Sequence, residues 1–219
     1  MKVLAVGAHH DDVEIGCGGT LARLARAGHQ IFAVTLTNSE THYDLRGIHR
    51  TRAQALTEAR RAAAVLGVEL LELDGAARDN GTLVYDVTLM RRLEELLVAH
   101  DVSLVFSHWR ADLNTDHEAA ARITTVAARH VPSVVMYRSN WYQPGPPFNA
   151  IVSVDISETI DVKRQSLACY ATEIANRSPE WIASFIDRDR AAGFAIGKRY
   201  AETFEPVKLE LFGPWAERG

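Results

Sequence analysis

Short apolar runs alternate along the chain with longer stretches in which apolar residues recur every three or four positions. The short runs are typical of buried β-strands, and the longer stretches are typical of helices with one apolar face. The predicted strands cover 3–6, 31–36, 69–73, 102–106, 134–137, 151–154 and, as an edge strand, 204–211. The predicted helices follow Thr20 and cover 50–66, 87–98, 119–129, a stretch that begins at Ser157, and 181–200. Strands that alternate with helices predict an α/β protein with a mostly parallel sheet.

The composition is that of one ordinary globular domain. The chain has 219 residues, of which 47% are hydrophobic and 24% charged, so we expect a single domain over 1–219. Its 24 basic and 28 acidic residues are spread along the chain and give a net charge of −4. This balance predicts no binding to nucleic acid or to an anionic membrane, and it favours a small-molecule partner. Because the chain shows no basic leader and no long apolar run, we expect a cytoplasmic protein.

The first candidate site directly follows the first predicted strand, where residues 9–14 read His-His-Asp-Asp-Val-Glu. His9 and Asp12 are three positions apart, so one tight turn can direct a ring nitrogen and a carboxylate oxygen at the same metal ion. A catalytic zinc takes nitrogen and oxygen ligands and keeps one position open for water. Asp11 is then placed to take a proton from that water. The alternative is that these polar residues only cap the next helix, although so many ionisable groups beside a buried strand favour a functional site.

The glycines that follow, in the stretch 16–19, do not have the spacing of a dinucleotide-binding fingerprint. The acidic residues in front of them would also repel a pyrophosphate. We expect instead that they form a turn in which the backbone passes close to the site.

A second polar cluster, 107–118, follows the strand predicted over 102–106. Loops after parallel strands meet at one edge of a sheet, which is where open α/β sheets bind ligands. His117 is the natural third ligand to complete the set of His9 and Asp12. The remaining polar residues of this cluster are candidates for orienting the ligands or acting as acid, namely His108, Asp112, Asn114 and Asp116.

Two other loops are candidates for contact with substrate. The polar stretch 37–49 is long enough to act as a lid or to bind substrate. The loop 138–147 is rich in aromatic residues and proline, which suits either stacking on a sugar ring or packing between subunits. Exposed aromatics around Trp141, Trp181 and Trp215 favour a homo-oligomer. Among the basic residues, we assign Arg52 and Arg138 to substrate binding, together with His108.

At these two clusters the sequence resembles the PIG-L or LmbE-like family of zinc-dependent N-deacetylases. The first family motif, of the type His-Pro-Asp-Asp-x-Glu, is similar to residues 9–14, and the second, which ends in Asp-His, is similar to Asp116 and His117. The resemblance extends to the order of helices and strands and to the segments 193–202 and 204–206. It therefore covers nearly the whole chain. It implies a three-layer α/β/α Rossmann-like fold with a mostly parallel sheet.

The resemblance also implies His9, Asp12 and His117 as ligands of one Zn²⁺ per chain, and Asp11 as general base. Two positions depart from the family pattern: His10 replaces the usual Pro, and Asn114 stands where many members carry His. Because Asn cannot deliver a proton, the leaving amine needs another acid, with Asp11 first and His108 or Asp116 next.

The implied reaction is hydrolysis of the acetamido group of an N-acetyl amino sugar, or of its glycoside or nucleotide derivative, with release of acetate. We assign catalytic roles to Asp11, Asn114 and Asp116. Two alternatives remain open at this point. One is an amidase that acts on a different small amide, and the other is a non-catalytic metal-containing protein that binds a sugar.

Overall fold

The protein is described by a computed structural model that covers residues 1–73, 78–141, 146–178 and 180–210, with the side chain of Arg46 left out. A seven-stranded sheet forms its centre, with the strand order β5-β2-β1-β6-β7-β9-β8, and a two-stranded hairpin, β3–β4, lies apart from it. The strands are β1 Lys2–Gly7, β2 Gln30–Thr35, β3 Thr41–Tyr43, β4 Ile48–Arg50, β5 Glu69–Leu71, β6 Leu104–His108, β7 Ser133–Tyr137, β8 Val152–Asp155 and β9 Ala201–Lys208. Among the described strands of this sheet, β9 pairs antiparallel with both of its neighbours, β7 and β8, and the other neighbouring strands pair in parallel.

The described residues form seven α-helices. They are α1 Asp12–Arg26, α2 Arg52–Leu66, α3 Val87–Ala99, α4 Thr115–Ala127, α5 Ile160–Leu167, α6 Ala171–Arg177 and α7 Glu180–Ala195. No described helix is both long enough and apolar enough to cross a membrane.

The central strand β1 is buried on both faces, because helices cover both sides of the sheet. Leu4 and Val6 belong to a core shared with α3 and α4, whereas Val3 and Ala5 belong to a core shared with α1 and α2. Successive side chains of a strand point to opposite faces, so a continuous apolar run is what a strand buried on both faces requires. The predicted three-layer α/β/α arrangement with a mostly parallel sheet is confirmed.

The first helix begins earlier than the sequence predicted. Because α1 starts at Asp12, the glycines expected in a turn lie inside the helix. A Cβ built on Gly16 would lie 2.0 Å from Cδ2 of Tyr137, so glycine is what allows α1 to pack against β7. The prediction of a glycine turn was wrong, although the expected close backbone approach exists, against a ring rather than against a ligand.

The C-terminal part also differs from the prediction. β9 is not an edge strand, because it lies between β7 and β8. Its polar residues Glu202 and Glu205 are buried, and their partners lie in distant segments. The segment predicted as one helix over 181–200 ends at Ala195, and α6 was not predicted. Parts of three predictions lie outside the described residues: residues 142–145 of the aromatic loop, Leu211 at the end of the predicted strand 204–211, and Trp215 among the exposed aromatics.

Candidate metal centre and active-site cavity

A cavity of about 1020 Å³ opens at the carboxyl ends of β1, β6 and β7. The loop after β1 and the first turn of α4 supply the ionisable groups at its base. Its walls come from the β3–β4 hairpin, the segment after β7, and helices α6 and α7. The polar stretch 37–49 is therefore a cavity wall built largely as a hairpin, at the edge of the sheet where ligands bind in open α/β folds.

The structure brings together the three residues predicted to bind metal. His9 Nδ1 lies 3.2 Å from His117 Nε2 and 3.4 Å from Asp12 Oδ2. His117 Nε2 lies 3.3 Å from Asp12 Oδ1. Ligand atoms bound at 2.0–2.1 Å to a tetrahedral zinc ion are separated by about 3.3–3.4 Å. The spacing of these three residues therefore fits a zinc ion, and the cavity leaves room for a fourth ligand.

Each of the two histidines is held by its own carboxylate on the far side of the ring. His9 Nε2 donates to Asp116 Oδ2 at 2.9 Å, and His117 Nδ1 donates to Asp112 Oδ2 at 3.1 Å. A carboxylate partner of this kind fixes the tautomer and the orientation of a metal-binding imidazole. These hydrogen bonds leave His9 Nδ1 and His117 Nε2 to bind a metal ion, which would replace the proton that is held there without it.

The charges around the three residues point the same way. Although burial opposes the charged ring, hydrogen bonds to Asp116 and Asp12 raise the pKa of His9 to about 10. Burial also opposes the charged form of Asp12, but the neighbouring His117 and His108 hold the pKa of its carboxyl well below the usual range. The site therefore stabilises a positive charge beside an ionised carboxylate, as a metal ion requires.

A second group, composed of His108, Asp112 and His117, also has potential ligand atoms within 4.8 Å of one another. His117 belongs to both groups, and its Nδ1 is already bonded to Asp112. His108 Nε2 lies 3.0 Å from Ala8 N and 3.1 Å from Asp12 Oδ2, and its ring stacks on His117. His108 and Asp112 therefore lie behind the first group, composed of His9, Asp12 and His117, and support it. Of the two groups, only the first includes a residue from the loop after β1.

Asp11 lies at the cavity wall beside the three ligands and immediately before α1. Its φ of 106° is in the left-handed region, which Asp tolerates better than most residues do. Burial, followed by the nearby charges of Glu173 and Asp12, raises the pKa of the Asp11 carboxyl well above its usual range. Perturbed carboxyls in a cavity are typical of acid–base groups.

Asn114 and Asp116 contribute to the geometry at the start of α4. Asn114 Oδ1 accepts from Asp116 N at 2.9 Å and from His117 N at 3.4 Å, so this side chain caps the helix. With Oδ1 engaged in the cap, the amide group of Asn114 is left to donate at the cavity wall. Asp116 Oδ1 accepts from Leu83 N at 2.9 Å, and its Oδ2 accepts from Gly81 N at 2.6 Å as well as from His9.

The structure does not bring the residues assigned to substrate binding to the cavity. His108 lies behind the ligands, Arg52 is exposed at the start of α2, and the guanidinium of Arg138 lies over the ring of Phe148. None of these three residues is among those that line the cavity. Arg50, predicted at a helix start, instead ends β4 and is buried.

Glu173, which was not predicted from the sequence, lies on the cavity wall between two arginines. Arg50 Nη1 lies 2.7 Å from Glu173 Oε1, and Arg177 Nε lies 2.7 Å from Glu173 Oε2. Its pair with Arg177 has the ordinary i,i+4 spacing of a helix surface, and its other partner, Arg50, is far away in the chain, so no motif marks Glu173 in the sequence.

His10 stands where the first family motif has proline, and a backbone hydrogen bond holds the loop at this position. His10 N donates to Ser39 Oγ at 2.8 Å, and its ring contacts Thr35 Oγ1 at 3.0 Å. A proline has no N–H and could not make the first of these bonds. The loop therefore reaches the shape needed for His9 and Asp12 through a hydrogen bond rather than through a proline ring.

We expect Asp116→Asn to weaken zinc binding about 10- to 100-fold, because the variant no longer presents a charged acceptor to His9. Competition with a chromophoric chelator measures this affinity. Asp161→Asn is the matched control, since Asp161 is exposed and its side chain is 82% accessible. Equal zinc affinity in both variants would show that Asp116 does not support His9.

The sequence profile of the PIG-L family, described as GlcNAc-PI de-N-acetylase, matches residues 4–128, which include both polar clusters. The chain belongs to the PIG-L family. A curated relative, the uncharacterized deacetylase YaiS of Escherichia coli K12, is 33% identical over 147 residues, which is 64% of this chain and 75% of YaiS. The resemblance to PIG-L proteins noted from the two motifs is thus confirmed.

Solved structures share the fold over nearly the whole chain. The conserved protein TT1542 of Thermus thermophilus has a TM-score of 0.80 and 27% identity, with 97% of each chain covered. The N,N′-diacetylchitobiose deacetylase of Pyrococcus horikoshii has a TM-score of 0.75 and 21% identity, covering 94% of this chain and 83% of its own. GalB of Pseudomonas putida KT2440, a 4-carboxy-2-hydroxymuconate hydratase, has a TM-score of 0.78 and 21% identity, covering 96% and 97%. The fold of this PIG-L protein is therefore found in enzymes of more than one reaction type.

Proposed function

We propose that this protein is a metal-dependent N-deacetylase that hydrolyses the acetamido group of an N-acetyl amino sugar, or of a derivative of one, and releases acetate. The observation that carries this proposal is the cluster of His9 Nδ1, His117 Nε2 and the Asp12 carboxylate, whose contacts measure 3.2–3.4 Å, with the Asp11 carboxyl beside it on the same cavity wall. Three protein ligands, an open position and a neighbouring acid–base group together suit hydrolysis.

His9, Asp12 and His117 would hold the metal, for which Zn²⁺ is the best candidate. A zinc ion bound there supplies a Lewis acid that lowers the pKa of water and polarises an amide carbonyl. Asp11 takes the proton of the attacking water on its carboxylate as the water oxygen bonds to the acetyl carbon. It then passes this proton to the nitrogen as the C–N bond breaks, so that acetate and a free amine leave.

Asn114 and Asp116 have different parts in this reaction. The amide of Asn114, whose oxygen caps α4, donates a hydrogen bond to the acetyl oxygen as negative charge develops there. Both carboxylate oxygens of Asp116 accept hydrogen bonds, from His9 and from the backbone N–H groups of residues 81 and 83. We therefore propose that Asp116 positions His9 and does not serve as the acid. This changes the catalytic role first assigned to Asp116.

The family and its named members support a deacetylase. The matched family is described as a GlcNAc-PI de-N-acetylase, and the P. horikoshii structure is a diacetylchitobiose deacetylase. GalB shows that the same fold also carries a hydratase, so the reaction has to be tested and not assumed from the fold.

The test is acetate release from N-acetylglucosamine derivatives and N,N′-diacetylchitobiose, with metal content measured on the same preparation. We expect one zinc ion per chain, acetate release, and loss of release after chelation that added zinc restores. Zinc without acetate release from any N-acetyl sugar would contradict the proposal and favour another amide or a binding role. A chain that takes up no zinc would contradict the metal centre itself.

A further inference from the structure

On the cavity wall away from the metal ligands, each described arginine forms a salt bridge with a carboxylate. The only arginines or lysines among the described residues that line the cavity are Arg50 and Arg177. Both are bound by the Glu173 carboxylate at 2.7 Å, one on each oxygen. Glu180 adds a second carboxylate to the lining, so two arginines and two glutamates lie on this wall. The undescribed segments 74–77, 142–145 and 179 contain no arginine or lysine, whereas the side chain of Arg46, in the β3–β4 hairpin, lies outside the described part of the chain.

Two further basic residues that could bind an anionic substrate, Arg188 and Lys198, contact other groups of the protein. Arg188 donates to the carbonyl oxygens of Ile15 and Asn140, and Lys198 lies 3.6 Å from Asp155. Neither residue lines the cavity. A phosphate or a carboxylate on this wall would therefore have to compete with Glu173 for the two arginines, with the Glu180 carboxylate on the same wall.

The same wall offers a flat apolar surface. Trp141 stacks on Phe185 with ring centroids 4.4 Å apart and an angle of 15° between the rings. Phe185 is buried and is contacted at its edge by Trp181, so the stack has a fixed base. Trp141 itself is 48% exposed and lines the cavity. A rigid aromatic face of this kind matches the C–H face of a sugar ring. The side-chain nitrogen of adjacent Asn140 donates to Asp112, which leaves its side-chain oxygen to accept from a neutral hydroxyl.

We propose that the cavity selects an uncharged N-acetylated glycoside whose sugar ring lies on Trp141, and that Glu173 and Glu180 exclude anionic sugars. This proposal rests on the proposed deacetylation but makes a separate claim. It concerns the charge of the substrate, whereas the proposed function concerns the bond that is broken.

The first experiment compares N,N′-diacetylchitobiose with N-acetylglucosamine 1-phosphate at constant ionic strength. We expect kcat/KM at least tenfold higher for the neutral sugar. Binding is also measured for both compounds through the tryptophan fluorescence of the zinc-loaded protein, so the charge preference is tested even if neither compound releases acetate. Tighter binding or faster turnover of the phosphorylated sugar would overturn the inference. Acetate release from neither compound, with the neutral sugar bound more tightly, would contradict the deacetylation and uphold the charge preference.

The second experiment changes the charge of the wall. Glu180 is exposed. Glu180→Lys should lower the ratio of kcat/KM for the neutral sugar to kcat/KM for the phosphorylated sugar at least threefold, whereas Glu180→Asp should leave this ratio unchanged. Glu173→Gln should lower this ratio further. Because Arg50 loses a buried charged partner in this variant, circular dichroism checks that the variant folds. An unchanged preference in Glu180→Lys would contradict the electrostatic part of the proposal.

The third experiment tests the aromatic surface. Trp141→Ala should raise KM for N,N′-diacetylchitobiose about tenfold with little change in kcat, and Trp141→Phe should restore most of the affinity. Sedimentation of both variants is measured as well, because this loop also suits packing between subunits. A change in oligomeric state without a change in KM would assign Trp141 to an interface and overturn its role with the sugar.

Discussion

Asp11→Asn should lower kcat for acetate release about 100- to 10,000-fold and leave the zinc content unchanged. Asn keeps the size of Asp and can still hydrogen-bond to water, but it cannot take the proton. It also tolerates the left-handed φ of 106° at this position better than Ala does, so the loop keeps its shape. Steady-state rates and zinc per chain, measured on one preparation, check both parts of the prediction.

The metal ligands provide the contrast to Asp11→Asn. His9→Ala, Asp12→Ala and His117→Ala should each lose both zinc and activity, because each removes one of the three proposed ligands. A normal rate in Asp11→Asn would show that Asp11 is not the base. Loss of zinc in that variant would mean that Asp11 contributes to metal binding.

The α/β class could be predicted because the strands at the centre of the sheet are buried on both faces. Val3, Leu4, Ala5 and Val6 alternate between the two cores, so their segment is apolar throughout and easy to recognise. The edge-strand prediction over 204–211 was wrong because Glu205, although buried, imitates an exposed position of an edge strand. The partners that make its burial favourable, Arg110 and the backbone of Asn149, come from distant parts of the chain, which a local pattern does not contain.

The residues of the candidate site could also be predicted only in part. His9 and Asp12 could be predicted as a pair because they share one turn, and His117 because loops of parallel strands meet at one edge of the sheet. The position of Glu173 between Arg50 and Arg177 depends on how α6 packs beside the β3–β4 hairpin, and α6 itself was not recognised. Residues that bind through local geometry were thus accessible from the sequence, and residues that shape the cavity through tertiary packing were not.

A buried group of charges ties the C-terminal elements to the helix that begins at the metal ligand Asp12. Lys163 of α5 lies 2.6 Å from Asp189 Oδ2 of α7 and 2.7 Å from Glu202 Oε1 of β9, and its Nζ donates to the carbonyl of Ile15 in α1 at 2.9 Å. The Glu202 carboxylate also accepts from the backbone N–H groups of Gly19 and Thr20. The same group of contacts therefore stabilises the fold and holds the helix that supports the candidate site.

Lys163→Met should lower the free energy of unfolding by about 3–5 kcal/mol, because it leaves two buried carboxylates without their shared ammonium. The Lys163 side chain is 0% exposed, so water does not replace the lost charge. Lys198→Met is the matched control: Lys198 is 53% exposed beside Asp155, and removal of such a surface pair costs about 0–1 kcal/mol. Urea unfolding of both variants measures the difference. If the two variants lost the same small amount of stability, burial of the Lys163 group would contribute little, and packing alone would hold α1 to the C-terminal elements.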